Sequence, residues 1–350
     1  MPIFEISKIH RSEILKVLEL IQKLADQANI EFFKEEENQI INFSVLWKKV
    51  MEGNNRWFKG EDTHGLLTIE EMRFIAKLHR NVVEYRSNFA QKQAPFMKQV
   101  KIEPVEVDGV PAEWQIVPVA IEDKVILYIH GGGYIMGSPN FTRMASVRLG
   151  MATKMRVLSI DYRLAPEHPY PQGLEDCITS YKWLLSSGIN PKKIIISGDS
   201  AGGYFTLLTL VKLRNEGVPL PAGAIVFSPA TDMAKAGESM VKNGPTDPIL
   251  ADLGIYWWVE CYLAGADPFS PDISPLYADL KGLPPLLIQV STSEMLYDDA
   301  RMFFNRAKKA GVDVTLQTWD ATLHAFQHFN LPESTEAFIN TGKFVERLFK

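Results

Sequence analysis

Three short stretches of the chain hold residue types that together can carry out acyl transfer. The first is Lys193-Ile-Ile-Ile-Ser-Gly198-Asp199-Ser200-Ala201-Gly202-Gly203, with Gly-x-Ser-x-Gly at 198–202. A serine hydroxyl is a weak nucleophile until a neighbouring base takes its proton. Ser200 follows an apolar, strand-like run and precedes a helix-forming stretch. That context forces a serine onto a sharp, strained turn with its hydroxyl presented outward. The flanking glycines carry no Cβ and let strand and helix approach. A helix starting at Ala201 favours negative charge beside it. Taken alone, the pattern also fits a glycine-rich strand–helix turn with a spectator serine.

The second stretch is His130-Gly131-Gly132-Gly133-Tyr134, directly after the apolar run Val125–Ile129. Acyl transfer builds negative charge on the carbonyl oxygen, and backbone N–H groups aimed at that oxygen stabilise it. A glycine run lets the backbone turn its amides inward, and such a loop partners the serine turn as an oxyanion hole. A further donor is expected from Ala201. A phosphate cradle would end in Gly-Lys-Ser/Thr, which is absent here.

The third signal is the order of partners: nucleophile, then acid, then histidine. Only His324 and His328 lie downstream of Ser200. His324 sits in Thr322-Leu323-His324-Ala325-Phe326, after the last strand-like run, and is the expected base. His328 reads as a structural or surface residue. For the acid, Glu294, Asp298 and Asp299 all follow the run Pro285–Ser291. The acid must bond the far ring nitrogen of the histidine and fix its tautomer. Glu294 comes first on its loop, whereas Asp298 and Asp299 fall at a helix start, where carboxylates also act as caps. These residues alone leave the acid open.

An α/β scaffold must position these groups. Apolar runs at Val125–Ile129, Arg156–Ile160, Lys193–Ser197, Gly223–Phe227, Pro285–Ser291 and Val312–Thr318 read as buried strands. Helical stretches such as Leu174–Ser186, Ala201–Glu216 and Asp298–Ala310 separate them. This alternation predicts a mostly parallel sheet covered by helices on both faces. Before it, Val100–Val107 and Glu113–Val119, with Asp108-Gly109 between, predict an edge hairpin. Residues from about 12 to 90 read as helices. Ile14, Val17, Leu18, Ile21, Leu24 and Ala28 recur at helical spacing, and Thr68-Ile69-Glu70-Glu71 has the form of a capping box. The segment from Lys235 to Asp272, with Tyr256, Trp257, Trp258 and Tyr262, interrupts the alternation just after a strand end. An insertion there is expected to sit over the ligand crevice.

At 350 residues the chain can bury a core without metal or disulfide, and its net charge of -5 gives no general attraction to nucleic acid or anionic lipid. The Lys48-Lys49 and Lys308-Lys309 pairs are explained by solvated helix faces. Cys177 and Cys261 lie in apolar helical contexts and are expected to be buried reduced thiols. Met1 to Arg11 lacks the layout of a signal peptide, and no apolar run reaches the ~18 residues that span a bilayer. The expected localisation is therefore cytoplasmic, without stable membrane association.

Together the blocks His130–Tyr134, Asp161-Tyr-Arg-Leu-Ala-Pro-Glu-His-Pro-Tyr-Pro171, Gly198–Gly203 and Ser293–Asp299 followed by His324 are highly specific. On them the chain resembles the hormone-sensitive-lipase-like (bacterial family IV) carboxylesterases of the α/β-hydrolase superfamily. The resemblance implies an α/β-hydrolase fold with a helical cap, built from an N-terminal segment (1–98) and an insertion at about 235–272 of a catalytic domain (99–350). It implies hydrolysis of short- to medium-chain acyl esters, without cofactor or metal, on a small-molecule substrate. By motif position Gly132, Gly133 and Ala201 would supply the oxyanion-hole amides, and His130, Asp161 and Arg163 would be structural. The usual acid is the Asp of an Asp-Pro-Leu-type motif. Here Glu294, 30 residues before His324, takes that position, and Asp298 takes the second, structural one. The implied triad is Ser200, His324 and Glu294, with Asp298 as the rival acid. The same triad serves acyltransferases, amidases and lactonases, and a degraded one serves ligand-binding receptors. A homodimer is compatible with all of these.

Overall fold

Strands that are apolar on both faces must be covered on both sides, and the chain does this with an eight-stranded sheet between two helical layers. The computed structural model describes residues 12–35, 38, 41–251 and 254–350. The expectation for Met1 to Arg11 lies outside the described residues, as does the start of the 1–98 segment.

The strands are β1 (Lys101–Val107), β2 (Val110–Ile116), β3 (Ile121–Ile129), β4 (Met155–Ile160), β5 (Ile194–Asp199), β6 (Gly223–Phe227), β7 (Leu286–Ser291) and β8 (Val314–Trp319). Their order is β1-β2-β4-β3-β5-β6-β7-β8. The β1–β2 and β2–β4 pairs are antiparallel and every other pair is parallel. The hairpin is tighter than its sequence suggests. Asp108 and Gly109 have φ of 50° and 86°, so they make a two-residue turn and β2 starts at Val110, three residues before Glu113.

The main helices are α1 (Ser12–Phe32), α2 (Phe43–Phe58), α3 (Ile69–Lys92), α4 (Pro139–Thr153), α5 (Gln172–Ser186), α6 (Ala201–Asn215), α7 (Ser239–Lys242), α8 (Ile255–Leu263), α9 (Tyr297–Lys309) and α10 (Pro332–Leu348). Side chains alternate across the sheet. Val125, Leu127 and Ile129 of β3 join one core with residues of α5, α6 and α9. Ile126 and Tyr128 join the other, against Ala145 and Leu149 of α4 and Phe338 and Val345 of α10. Thr68 and Glu71 form the reciprocal capping box at the start of α3.

The chain leaves β3 for β4 on one side, then crosses to β5 on the other side of β3. Winding reverses there, and loops beyond the carboxyl ends of such strands flank a crevice. The loops after β3 and β5 hold His130–Tyr134 and Ser200. Between β6 and β7, residues 235–272 contain α7 and α8. Gly53 of α2 and Tyr256 of α8 are in close contact, since a Cβ on Gly53 would fall 2.2 Å from the tyrosine ring. His79 of α3 lies 5.9 Å from Trp257 and 6.4 Å from Trp258, ring centre to ring centre.

Candidate active site

Ser200 stands between β5 and α6 with φ 54° and ψ −117°, a conformation a non-glycine residue adopts only under local constraint. The constraint is visible in its bonds. The Ser200 N–H donates to Phe227 O at the end of β6, 2.8 Å away, and its carbonyl accepts from Tyr204 N–H at 3.1 Å. Gly202 lets α6 press against β3: a Cβ there would lie 1.9 Å from Ile129 O and 2.6 Å from His130 O. That contact sets the first turn of α6, and the amide of Ala201, beside the loop after β3.

In that loop Gly132 has φ 122°, and a Cβ on it would meet Met136 O at 2.1 Å. Gly133 and Tyr134 also have positive φ, 60° and 70°. Three consecutive residues in left-handed or glycine-only regions let the backbone reverse over the sheet edge. The His130 ring is wholly buried and stacks on Tyr162, with 4.1 Å between ring centres. Its Nδ1 donates to Gly131 O at 2.8 Å. Burial holds the His130 pKa down to about 4, against the opposing pull of the Gly131 carbonyl and Asp199, so the ring is neutral near pH 7. Asp161 Oδ1 lies 3.9 Å from its Nε2. Arg163 is paired with Asp176, Nη2 to Oδ1 2.7 Å.

His324 follows β8 on a loop. Its Nδ1 donates to Glu294 Oε1 across 2.9 Å, and both side chains are buried. A donating Nδ1 leaves Nε2 as the ring's basic nitrogen. Burial alone would lower the His324 pKa. The facing Glu294 carboxylate, with Asp247 and Asp199 further off, outweighs it and raises the pKa above the ordinary histidine value. Glu294 Oε2 accepts from Ser228 Oγ at 2.7 Å and from Ser291 N–H at 3.1 Å. Ser228 Oγ in turn accepts from Ala325 N–H at 3.1 Å. Ser228 directly follows Phe227, which holds the Ser200 amide, so this relay runs from the Ser200 turn to the His324 loop.

Asp298 and Asp299 are engaged elsewhere. Asp298 Oδ2 accepts from Ser239 N–H and Oδ1 from Arg301 Nε, each at 2.9 Å. Asp299 Oδ2 accepts from Thr231 N–H at 2.6 Å and Asp232 N–H at 3.0 Å. Of the three downstream carboxylates, only Glu294 meets His324. His328 is partly buried, and its Nε2 lies 3.0 Å from Asp199 Oδ2.

Two residues in this arrangement escape a reading of the sequence. Ser228 is fully buried with φ 46°; its only signal is a position one residue past a strand's carboxyl end. Asp247, in the insertion, accepts from Met295 N–H at 2.9 Å and from Leu250 N–H at 3.0 Å, which ties the insertion to the Glu294 loop. Cys177 and Cys261 are both buried and unpaired, and burial pushes the Cys261 thiol up to about 12. Among the described residues no group of three or more His, Cys, Asp or Glu is placed to hold a metal ion. No helix among them is long and apolar enough to cross a membrane.

A family model described as the alpha/beta hydrolase fold matches residues 126–328. An acetyl-hydrolase of Streptomyces hygroscopicus is 40% identical over 243 residues, 69% of this chain and 81% of the relative. An esterase of Acinetobacter venetianus is 37% identical over 252 residues, 71% of this chain and 83% of the relative. A crystal structure of an esterase from the bacterial hormone-sensitive lipase family superposes with a TM-score of 0.73 at 39% identity. It covers 87% of this chain and 99% of that one. With that fold and those relatives, the chain belongs to the hormone-sensitive-lipase-like branch of the α/β-hydrolases, a family of serine carboxylesterases.

Proposed function

We propose that the protein hydrolyses short- to medium-chain carboxylic esters through an acyl-enzyme, with Ser200 as nucleophile, His324 as base and Glu294 as the orienting acid. The observation that carries this reading is the buried contact of 2.9 Å from His324 Nδ1 to Glu294 Oε1, with the other carboxylate oxygen held by Ser228 and Ser291. Ser200 Oγ attacks the ester carbonyl as its proton passes to His324 Nε2. The tetrahedral oxyanion is held by the amides of Gly132, Gly133 and Ala201. His324 gives the proton to the departing alcohol, and the acyl group stays on Ser200. His324 then takes a proton from water, which attacks the acyl-enzyme and releases the acid. Removing one oxyanion donor costs ~3 kcal/mol of barrier in such sites.

The N-terminal segment and the 235–272 insertion serve as the cap. Contact between α2 and α8, and the ring of Trp258 against Gly133, support that division. Two buried unpaired thiols suit a reducing compartment, the cytoplasm. The test is hydrolysis of p-nitrophenyl esters from acetate to palmitate by the wild type and Ser200→Ala. The expected result is a maximum at short or middle chains, with a loss of several orders of magnitude in the variant. A folded wild type inactive on the whole series, or a fully active Ser200→Ala, would overturn the proposal.

A further inference from the structure

The triad reading leaves one buried charged group beside the nucleophile unexplained. Asp199, the residue before Ser200, is 2% exposed. Its carboxylate receives three donors from three different segments. Tyr128 Oη–H of β3 donates to Oδ1 at 2.7 Å. Gly131 N–H, at the head of the glycine loop, donates to the same oxygen at 3.2 Å. His328 Nε2 meets Oδ2 at 3.0 Å. The His328 ring also stacks on Phe141, with centres 5.7 Å apart and planes 14° apart, so its orientation is fixed from the side.

These segments are the ones whose relative placement decides the reaction. Gly131 precedes the amides proposed for the oxyanion, Asp199 precedes Ser200, and His328 sits four residues after His324. A buried carboxylate is costly unless donors satisfy it. A fold that retains one here and satisfies it from strand β3, the glycine loop and the segment after His324 has a rigid junction at that point. Its burial works against the charged form, but His328, Tyr128 and His130 outweigh it and hold the Asp199 pKa low.

We propose that Asp199 and His328 form a second carboxylate–histidine pair, its carboxylate buried and its ring partly buried, with a positioning task. It locks the glycine loop and the His324 loop to the turn that carries Ser200. Neither residue touches the reacting atoms. The inference rests on the proposed roles of Ser200 and His324.

The test is steady-state kinetics of His328→Phe, His328→Gln and Ser200→Ala on p-nitrophenyl acetate, with active sites counted by a serine-directed phosphonate. His328→Phe keeps a ring on Phe141 but removes the donor, whereas glutamine restores an N–H near the same place. His328→Phe is expected to lose on the order of 10- to 100-fold in kcat per titrated site with KM little changed, the signature of displaced catalytic groups. His328→Gln recovers most of that loss. A His328→Phe enzyme whose kcat per titrated site stays within about two-fold of wild type overturns the proposal, because a merely structural residue would lower only the number of active sites. If His328→Phe does not fold, Tyr128→Phe removes another donor from the same carboxylate, and an unchanged kcat there is equally contradictory. Full activity in Ser200→Ala would sink the triad reading itself. Its loss beside an unchanged His328→Phe would sink only the pair.

Discussion

Glu294 has three donors around its carboxylate, and a single-atom change separates its proposed role from that of Asp298. In Glu294→Gln the amide cannot accept on both sides. Either its NH2 faces His324 Nδ1 and imposes the wrong tautomer, or it faces the Ser228 and Ser291 donors. The expected kcat loss is on the order of 10²- to 10⁴-fold. Asp298→Asn should keep kcat within a few-fold and lose about 1 kcal/mol of stability, because its carboxylate serves Ser239 and Arg301. Kinetics and thermal melts of the two variants separate these outcomes; the reverse pattern would move the acid to Asp298. The pH dependence has a definite sign. A base works only when neutral, and Glu294 holds the His324 pKa above its ordinary value. The kcat/KM of the wild type should therefore fall as pH drops through a point above that ordinary value, and the acid limb should shift to lower pH in Glu294→Gln. While Glu294 is ionised, the same raised pKa makes protonation of His324 stabilise the fold fully just below the ordinary histidine value and progressively less as pH rises through the raised one. Ser200 and His324 are legible as candidates because each lies in a short local pattern, whereas Glu294 is reached only through the family resemblance, since three carboxylates follow the same strand. Ser228 and Asp247 are not legible, because their partners are brought to them by where β6 and β7 end side by side, 66 residues away in sequence for the Ser228–Glu294 bond.

At the scale of elements, the geometry of the crevice depends on how closely α6 approaches β3. Gly202→Ala would press a methyl into Ile129 O and His130 O, both backbone atoms that cannot swing aside. It should cost about 3 kcal/mol or more, or abolish folding. Gly217→Ala is the control: its φ of 70° is strained, but nothing lies within 4 Å, so about 1–2 kcal/mol is expected. Denaturant melts of the two read the difference, and equal losses would show that the close approach at Gly202 is relieved by a small shift of α6. The strands themselves are readable as apolar runs because both their faces are buried. Their ends are less readable. β5 runs on to Asp199 where the apolar run stops at Ser197, because Gly198 and Asp199 still pair with Val226 and Phe227 in β6. Strand order is not readable either, since the crossover that sets β3 between β4 and β5 leaves no local mark in sequence.

Across the whole molecule, Arg80 is one of several residues of α3 that tie the helical segment to the catalytic layer, beside Glu84, Ser87 and Gln91. Arg80 of α3 donates from Nε to Ile135 O at 2.7 Å and from Nη2 to Ala165 O at 2.9 Å, and pairs with Glu167 at 2.7 Å. Arg80→Ala would strand two carbonyls at the glycine loop and at the Asp161–Pro171 block. A stability loss of about 1–3 kcal/mol is expected, with a lower kcat on p-nitrophenyl acetate; unchanged melting and kinetics would contradict a cap fastened through this residue. This tie joins residues 55 and 85 positions apart, which is why the N-terminal helices, readable one by one from their apolar stripes, gave no sign of where they dock. Ser200 is the group proposed to carry the acyl chain. The most direct test is to treat the protein with a p-nitrophenyl phosphonate, follow p-nitrophenolate release and map the adduct by peptide mass spectrometry. One equivalent released per chain, with the label on Ser200 and none taken up by Ser200→Ala, is the predicted result. A label on another residue, or undiminished labelling of Ser200→Ala, would contradict the account.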